Sequence, residues 1–85
     1  RPADCLRLAS VFEGLSARIA AGGFSTLEQI GAELTRQNDE LNLDASWRTF
    51  GSWLSSEMGN RAQSIPQTKE VFDQVAIGLK AAGGK

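Results

Sequence analysis

Apolar residues recur at intervals of three and four along this chain, and no segment alternates apolar and polar residues long enough to predict a strand. This period is typical of amphipathic helices, which each bury one face. We therefore predict an all-α fold. Because 85 residues suffice for one domain with one core, we predict a single helical domain over residues 1–85, built as a compact bundle of four helices.

Glycines and capping residues set the bounds of the first two predicted helices. The first covers residues 2–21, with Cys5 as a half-buried side chain and an apolar stripe formed by Leu8, Val11, Phe12, Leu15 and Ile19. Gly22–Gly23 ends it because glycine adopts the left-handed conformation without a Cβ penalty. The second starts at a capping box, in which the Ser25 hydroxyl accepts from the Glu28 amide and the Glu28 carboxylate accepts from the Ser25 amide. Its apolar pattern fades through residues 36–40, either as a frayed last turn or as the start of a loop.

Two further helices are predicted in the second half of the chain. Asp44 is the predicted N-cap of a third helix over residues 45–58, which Gly59 ends. Pro66 opens the fourth helix, since proline suits a first helical turn. The apolar stripe of this helix comprises Val71, Phe72, Val75 and Leu79.

The residue inventory argues against catalysis and metal binding. Histidine is absent and Cys5 is the single cysteine, so the sequence offers no His-based triad, no His- or Cys-ligated zinc site and no internal disulfide. Four carboxylates are interpreted as solvated surface charges: Glu28, Glu33, Glu40 and Glu57. We predict that the chain is not an enzyme and has no catalytic residue, metal ligand or cofactor.

Cysteine usage and hydropathy also bear on the location of the chain. A lone cysteine favours the cell interior. No uninterrupted apolar run approaches the roughly 20 residues of a membrane helix. We therefore predict a cytoplasmic protein without membrane contact, and the Arg1 start indicates processing or a longer parent chain.

The third predicted helix has two contrasting faces. Four large apolar residues form its predicted buried stripe: Trp47, Phe50, Leu54 and Met58. The opposite side carries one arginine and short hydroxyl side chains: Arg48, Thr49, Ser52, Ser55 and Ser56. Trp53 lies at the edge between the two faces. Short donors allow a helix to approach another surface closely, such as a DNA major groove or a protein partner.

Two segments resemble the helix-turn-helix family of DNA-binding domains, over residues 25–58. Residues 27–34, LEQIGAEL, resemble its first helix, and residues 47–54, WRTFGSWL, are similar to its recognition helix. The resemblance implies a helix-turn-helix arrangement of helices two and three, with Phe50 and Leu54 facing inward. It also implies that DNA contacts come from outward positions of helix 45–58: Ser46, Arg48, Thr49, Ser52 and Ser55.

The net charge of the chain does not decide between DNA and a protein as the partner. Nine basic and ten acidic residues give a net charge of −1 and a pI near 5.3, so DNA binding needs a local cluster of cations. The candidates are Arg36, Arg48, Arg61 and Lys69. One hypothesis is a DNA-binding regulator module, acting as a homodimer or within a longer chain. The alternative is a docking, adaptor or inhibitor domain that binds a protein through Trp53 and the hydroxyl face. A structural fragment of a larger enzyme is the third interpretation.

Overall fold

The computed structural model describes residues 2–41, residue 56 and residues 64–84. Within these residues the chain forms three helices and no strand: α1 (Pro2–Ala20), α2 (Leu27–Leu41) and α3 (Ile65–Gly83). The predicted all-α fold is confirmed. None of these helices is long and apolar enough to cross a membrane.

The prediction of a four-helix bundle is wrong, because three helices are counted in the part of the chain that the structure describes. An apolar period shows that a segment could bury one side of a helix, but it does not fix how many helices share a core. The predicted third helix, residues 45–58, lies outside the described residues except for Ser56, which is helical and exposed.

The core lies between the apolar sides of the three helices. α1 contacts α3 more extensively than it contacts α2. At the α1–α3 contact the rings of Phe12 and Phe72 are fully buried and meet edge to face, with centroids 5.2 Å apart. α2 buries Ile30 and Leu34. Cys5, predicted to be a half-buried apolar side chain, is partly buried against this core.

The end of α1 is a glycine-dependent turn, as predicted. The Gly22 amide donates to the Ile19 carbonyl at 3.0 Å and the Gly23 amide donates to the Arg18 carbonyl at 2.9 Å, which is the Schellman pattern. Gly22 has φ +79°, a left-handed conformation. A Cβ at Gly23 would lie 2.6 Å from Arg18 Cγ. The Arg18 guanidinium carbon lies 4.4 Å from the Phe24 ring centroid, which holds the turn against α1.

The start of α2 is displaced by one residue from the predicted capping box. The Gln29 amide donates to Thr26 Oγ1 at 3.2 Å, and Gln29 Oε1 accepts from the Ser25 amide at 2.7 Å. The sequence STLEQ satisfies the S/T-x-x-E/Q pattern in two registers, Ser25 with Glu28 and Thr26 with Gln29. The structure takes the second register for the N-cap, Thr26, whereas the Gln29 side chain accepts from the amide of Ser25, one residue before the cap.

Polar contacts fix how the helices meet. Arg7 Nη2 donates to the Leu41 carbonyl at 3.0 Å, which joins the start of α1 to the end of α2.

Ser64 is the N-cap of α3, and its hydroxyl accepts from the Gln67 amide at 3.3 Å. α3 therefore begins at Ile65, one residue before the predicted Pro66.

Candidate functional site

Most of the predicted site residues lie outside the described part of the chain. These are Arg48, Thr49, Ser52, Trp53, Ser55 and Arg61. Their proposed contacts with DNA or a protein partner stay predictions. Arg36 and Lys69 are described, and their surroundings bear on how they could act.

Arg36 is held by two carboxylates of its own helix. Its Nε and Nη2 each lie 2.7 Å from an oxygen of Glu33, a bidentate pair, and its Nη1 lies 2.5 Å from Glu40 Oε1. Gln37 Nε2 donates to Glu33 at 3.0 Å, and Arg18 Nη1 of α1 lies 3.3 Å from the same carboxylate. Arg36 is therefore an ion-pair partner within α2, and Glu33 is the centre of a network that reaches α1.

The network shifts the acid–base properties of both partners. Hydrogen bonds from Arg36 and then Gln37 lower the pKa of Glu33 from 4.5 to about 2. The bonds to Glu33 raise the pKa of Arg36. Because charged donors stabilise the ionised carboxylate, Glu33 stays negative over the physiological pH range and keeps Arg36 bound.

A pH titration of stability tests this network. Since the pKa of Glu33 is lower in the folded chain, its stabilising contribution is complete above pH 4.5 and is lost as the pH falls from 4.5 towards 2. Chemical denaturation across this range is expected to show a smaller acid-induced loss in Glu33→Gln than in wild type. Glu28→Gln, at an exposed carboxylate of the same helix, is the control. Equal losses in wild type and Glu33→Gln would contradict the assignment.

Lys69 is paired in a second network, between α3 and α1. Its Nζ lies 2.8 Å from Asp73 Oδ2, and Asp73 Oδ1 accepts a hydrogen bond from the hydroxyl of buried Ser16. The Lys69 hydrogen bond, followed by that of Ser16, lowers the pKa of Asp73. Lys69 therefore also has a carboxylate partner, and among the described residues no hydrogen bond or ion pair connects it to Arg36.

Sequence reasoning missed the carboxylate partners of these cations. It treated Glu33 as a solvated surface charge, whereas the Glu33 side chain is only 17% exposed. The spacing of three residues between Glu33 and Arg36, and of four between Lys69 and Asp73, carried the signal, because such pairs are neighbours on a helix.

α2 is also the acidic element of the described structure. Its sequence holds four carboxylates, of which Glu28, Asp39 and Glu40 are exposed, and a single basic residue, Arg36. A helix with this charge repels phosphate. In the helix-turn-helix interpretation α2 is the first helix of the motif, so its negative charge disfavours the approach of DNA to that motif.

The α1–α3 pair exposes two large apolar side chains, one on each helix. Leu6 is 44% exposed and Ile77 is 68% exposed. Glu13 of α1 and Lys80 of α3 form an ion pair of 3.0 Å across the two helices. Leu6 precedes Glu13 by two helical turns on α1, and Ile77 precedes Lys80 by one turn on α3.

We call this surface the Leu6–Ile77 face. It comprises Leu6, Ser10, Glu13 and Ala17 of α1, which follow one another at helical spacing, with Ile77 and Lys80 of α3. All six residues are exposed. The face combines two apolar anchors, two small residues and one ion pair that balances its own charge.

Comparisons with known proteins do not add to this description. No protein-family model matches the sequence, and neither curated proteins nor solved structures give a match. Within the described residues, no group of three or more histidine, cysteine, aspartate or glutamate side chains is arranged to hold a metal ion.

Proposed function

We propose that the chain is a small helical binding module, located in the cytoplasm, that binds a protein partner through the Leu6–Ile77 face. The observations that support the proposal are the exposure of a large apolar side chain on each of two packed helices, Leu6 of α1 and Ile77 of α3. Single exposed apolar residues are ordinary on protein surfaces, but a shared patch is typical of a protein contact. Binding, rather than catalysis, is the activity proposed.

The charges favour a protein over DNA as the partner. A phosphate that binds Arg36 or Lys69 must compete with Glu33 and Glu40 or with Asp73, which already hold these cations. The exposed carboxylates of α2 oppose the approach of the DNA backbone further. The helix-turn-helix hypothesis stays a prediction, because the residues of its recognition helix are outside the described residues.

An affinity capture experiment with matched variants tests the proposed function. Immobilised wild type, Ile77→Glu and Thr35→Glu are exposed to host-cell lysate, and the retained proteins are compared by mass spectrometry. Thr35→Glu introduces the same residue at an exposed position of α2 and serves as the control. We expect proteins retained by wild type and Thr35→Glu to be lost from Ile77→Glu, since a charge at Ile77 opposes apolar contact.

A titration with duplex DNA tests DNA as the alternative partner. We expect titration at low salt to give no binding. DNA binding that weakens steeply with salt and is abolished by Arg48→Glu would overturn the proposal in favour of the helix-turn-helix hypothesis. Retention of the same proteins by Ile77→Glu and wild type would also overturn it. Because Ile77 is exposed, Ile77→Glu should change the free energy of unfolding by no more than about 0.5 kcal/mol.

A further inference from the structure

We infer that α2 is a displaceable lid on α1, and that the side of α1 beneath it binds an acidic amphipathic helix of another protein in place of α2. This inference goes beyond the proposed function, because it concerns side chains that α2 covers and not the exposed Leu6–Ile77 face. It starts from the small contact between α2 and the rest of the described structure.

Burial is divided unequally among the helices. α2 buries two side chains over its 15 residues, Ile30 and Leu34, whereas α3 buries six residues over its 19. The contact of α2 with α1 is also much smaller than that of α3 with α1. An element with few buried apolar contacts opens at a lower free energy than the core. We therefore expect α2 to separate from α1 while α1 and α3 stay packed.

The polar contacts of α2 allow this separation. Glu33 forms its bidentate pair with Arg36 of the same helix, so this pair does not hold α2 to α1. From α1, Arg18 Nη1 lies 3.3 Å from Glu33 Oε2. Arg7 Nη2 donates to the Leu41 carbonyl at 3.0 Å. Both α1 side chains are about half exposed, so water replaces their contacts with little loss when α2 leaves.

The connection before α2 separates an anchored turn from an exposed segment. Phe24 is buried, and its ring lies against the Arg18 guanidinium. Ser25 and Thr26, which follow it, are exposed. The turn after α1 therefore keeps its place when α2 moves away from residue 25 onwards.

The side of α1 that α2 covers defines the helix that could replace it. α2 offers Ile30 and Leu34, four residues apart and both buried, with the Glu33 carboxylate beside them. Departure of α2 exposes apolar surface and removes the carboxylate partner of Arg18. An incoming helix restores both interactions if it carries two apolar residues at this spacing and a glutamate at the intervening position. The fitting partner is therefore an acidic amphipathic helix.

Hydrogen exchange of the full chain at low urea concentrations tests the lid. Amides of α2 are expected to exchange at least about tenfold faster than those at the α1–α3 contact, through an opening that depends weakly on urea, because a local opening exposes little surface. Equal exchange rates with equal urea dependence in all three helices would overturn the inference.

A fluorophore-labelled peptide of residues 24–41 is the probe for the site beneath the lid. Because it binds only the open chain, its apparent affinity rises with the open fraction. Fluorescence anisotropy is expected to show at least about tenfold tighter binding to an Ile30→Ala chain than to wild type. A Glu33→Gln chain, which loses the pair with Arg18 but keeps the core residues, is expected to bind more tightly than wild type as well.

Peptide variants and folding controls complete this test. A Leu34→Glu peptide is expected to bind at least about tenfold more weakly than the unchanged peptide, whereas a Thr35→Glu peptide carries the same added charge at an exposed position and is expected to bind equally well. Circular dichroism of each chain establishes that α1 and α3 are retained. Binding to none of the chains, no gain in the Ile30→Ala and Glu33→Gln chains, or equal binding of the Leu34→Glu peptide overturns the inference.

Discussion

Phe72→Ala is expected to lower the free energy of unfolding by about 3–5 kcal/mol, which is the typical cost of truncating a buried phenylalanine. Phe72 is 0% exposed and its ring meets that of Phe12 edge to face. Removal of the ring takes away this contact and leaves a cavity between α1 and α3, the most extensive helix contact of the described structure. Urea denaturation followed by far-ultraviolet circular dichroism measures the loss.

A double-mutant cycle refines this first test. Phe12→Leu, Phe72→Leu and the double variant together measure the coupling between the two rings. An edge-to-face pair with centroids 5.2 Å apart is expected to show a coupling of about 0.5–1.5 kcal/mol. Additive losses, with no coupling, would mean that the two rings are not in contact in solution. A loss below about 1 kcal/mol for Phe72→Ala would contradict its placement in the core.

Ile30→Ala is expected to cost about 2–5 kcal/mol, since Ile30 is completely buried and α2 buries only this residue and Leu34. Ile77→Ala makes the same chemical change at a side chain that is 68% exposed, and it is expected to alter the free energy of unfolding by no more than about 0.5 kcal/mol. Denaturation of the two variants side by side compares the buried and the exposed isoleucine.

Hydrogen exchange shows which helix loses stability in the Ile30→Ala variant. We expect amides of α2 to exchange faster in this variant, with a smaller change in α3, because α2 depends on few buried side chains for its contact with α1. Comparable destabilisation by Ile30→Ala and Ile77→Ala would show that the exposure of these two residues is assigned wrongly. It would also remove the basis of the Leu6–Ile77 face.

The apolar stripes of two helices follow directly from the sequence. In α1 the predicted stripe is buried at every position: Leu8, Val11, Phe12, Leu15 and Ile19. In α3 the predicted stripe residues Val71, Phe72 and Leu79 are buried, and Val75 is partly buried. These assignments succeed because a helix repeats every 3.6 residues, so spacing alone puts the stripe on one side.

The candidate surface could not be derived in the same way. Sequence reasoning placed the binding residues on helix 45–58 and did not single out Leu6 or Ile77. The two residues are 71 positions apart in the chain, and the Glu13–Lys80 pair that relates them forms only where α1 lies against α3. No local pattern connects positions that distant.

The sequence alone therefore determined the helical class, the buried sides of α1 and α3 and the glycine turn after α1. Each depends on interactions within a few residues, which short-range spacing encodes. Tertiary structure decided which polar side chains of different helices meet: Arg18 with Glu33, Ser16 with Asp73, and Glu13 with Lys80. These partners are remote in the chain, so their contacts depend on how the helices pack and not on short-range spacing.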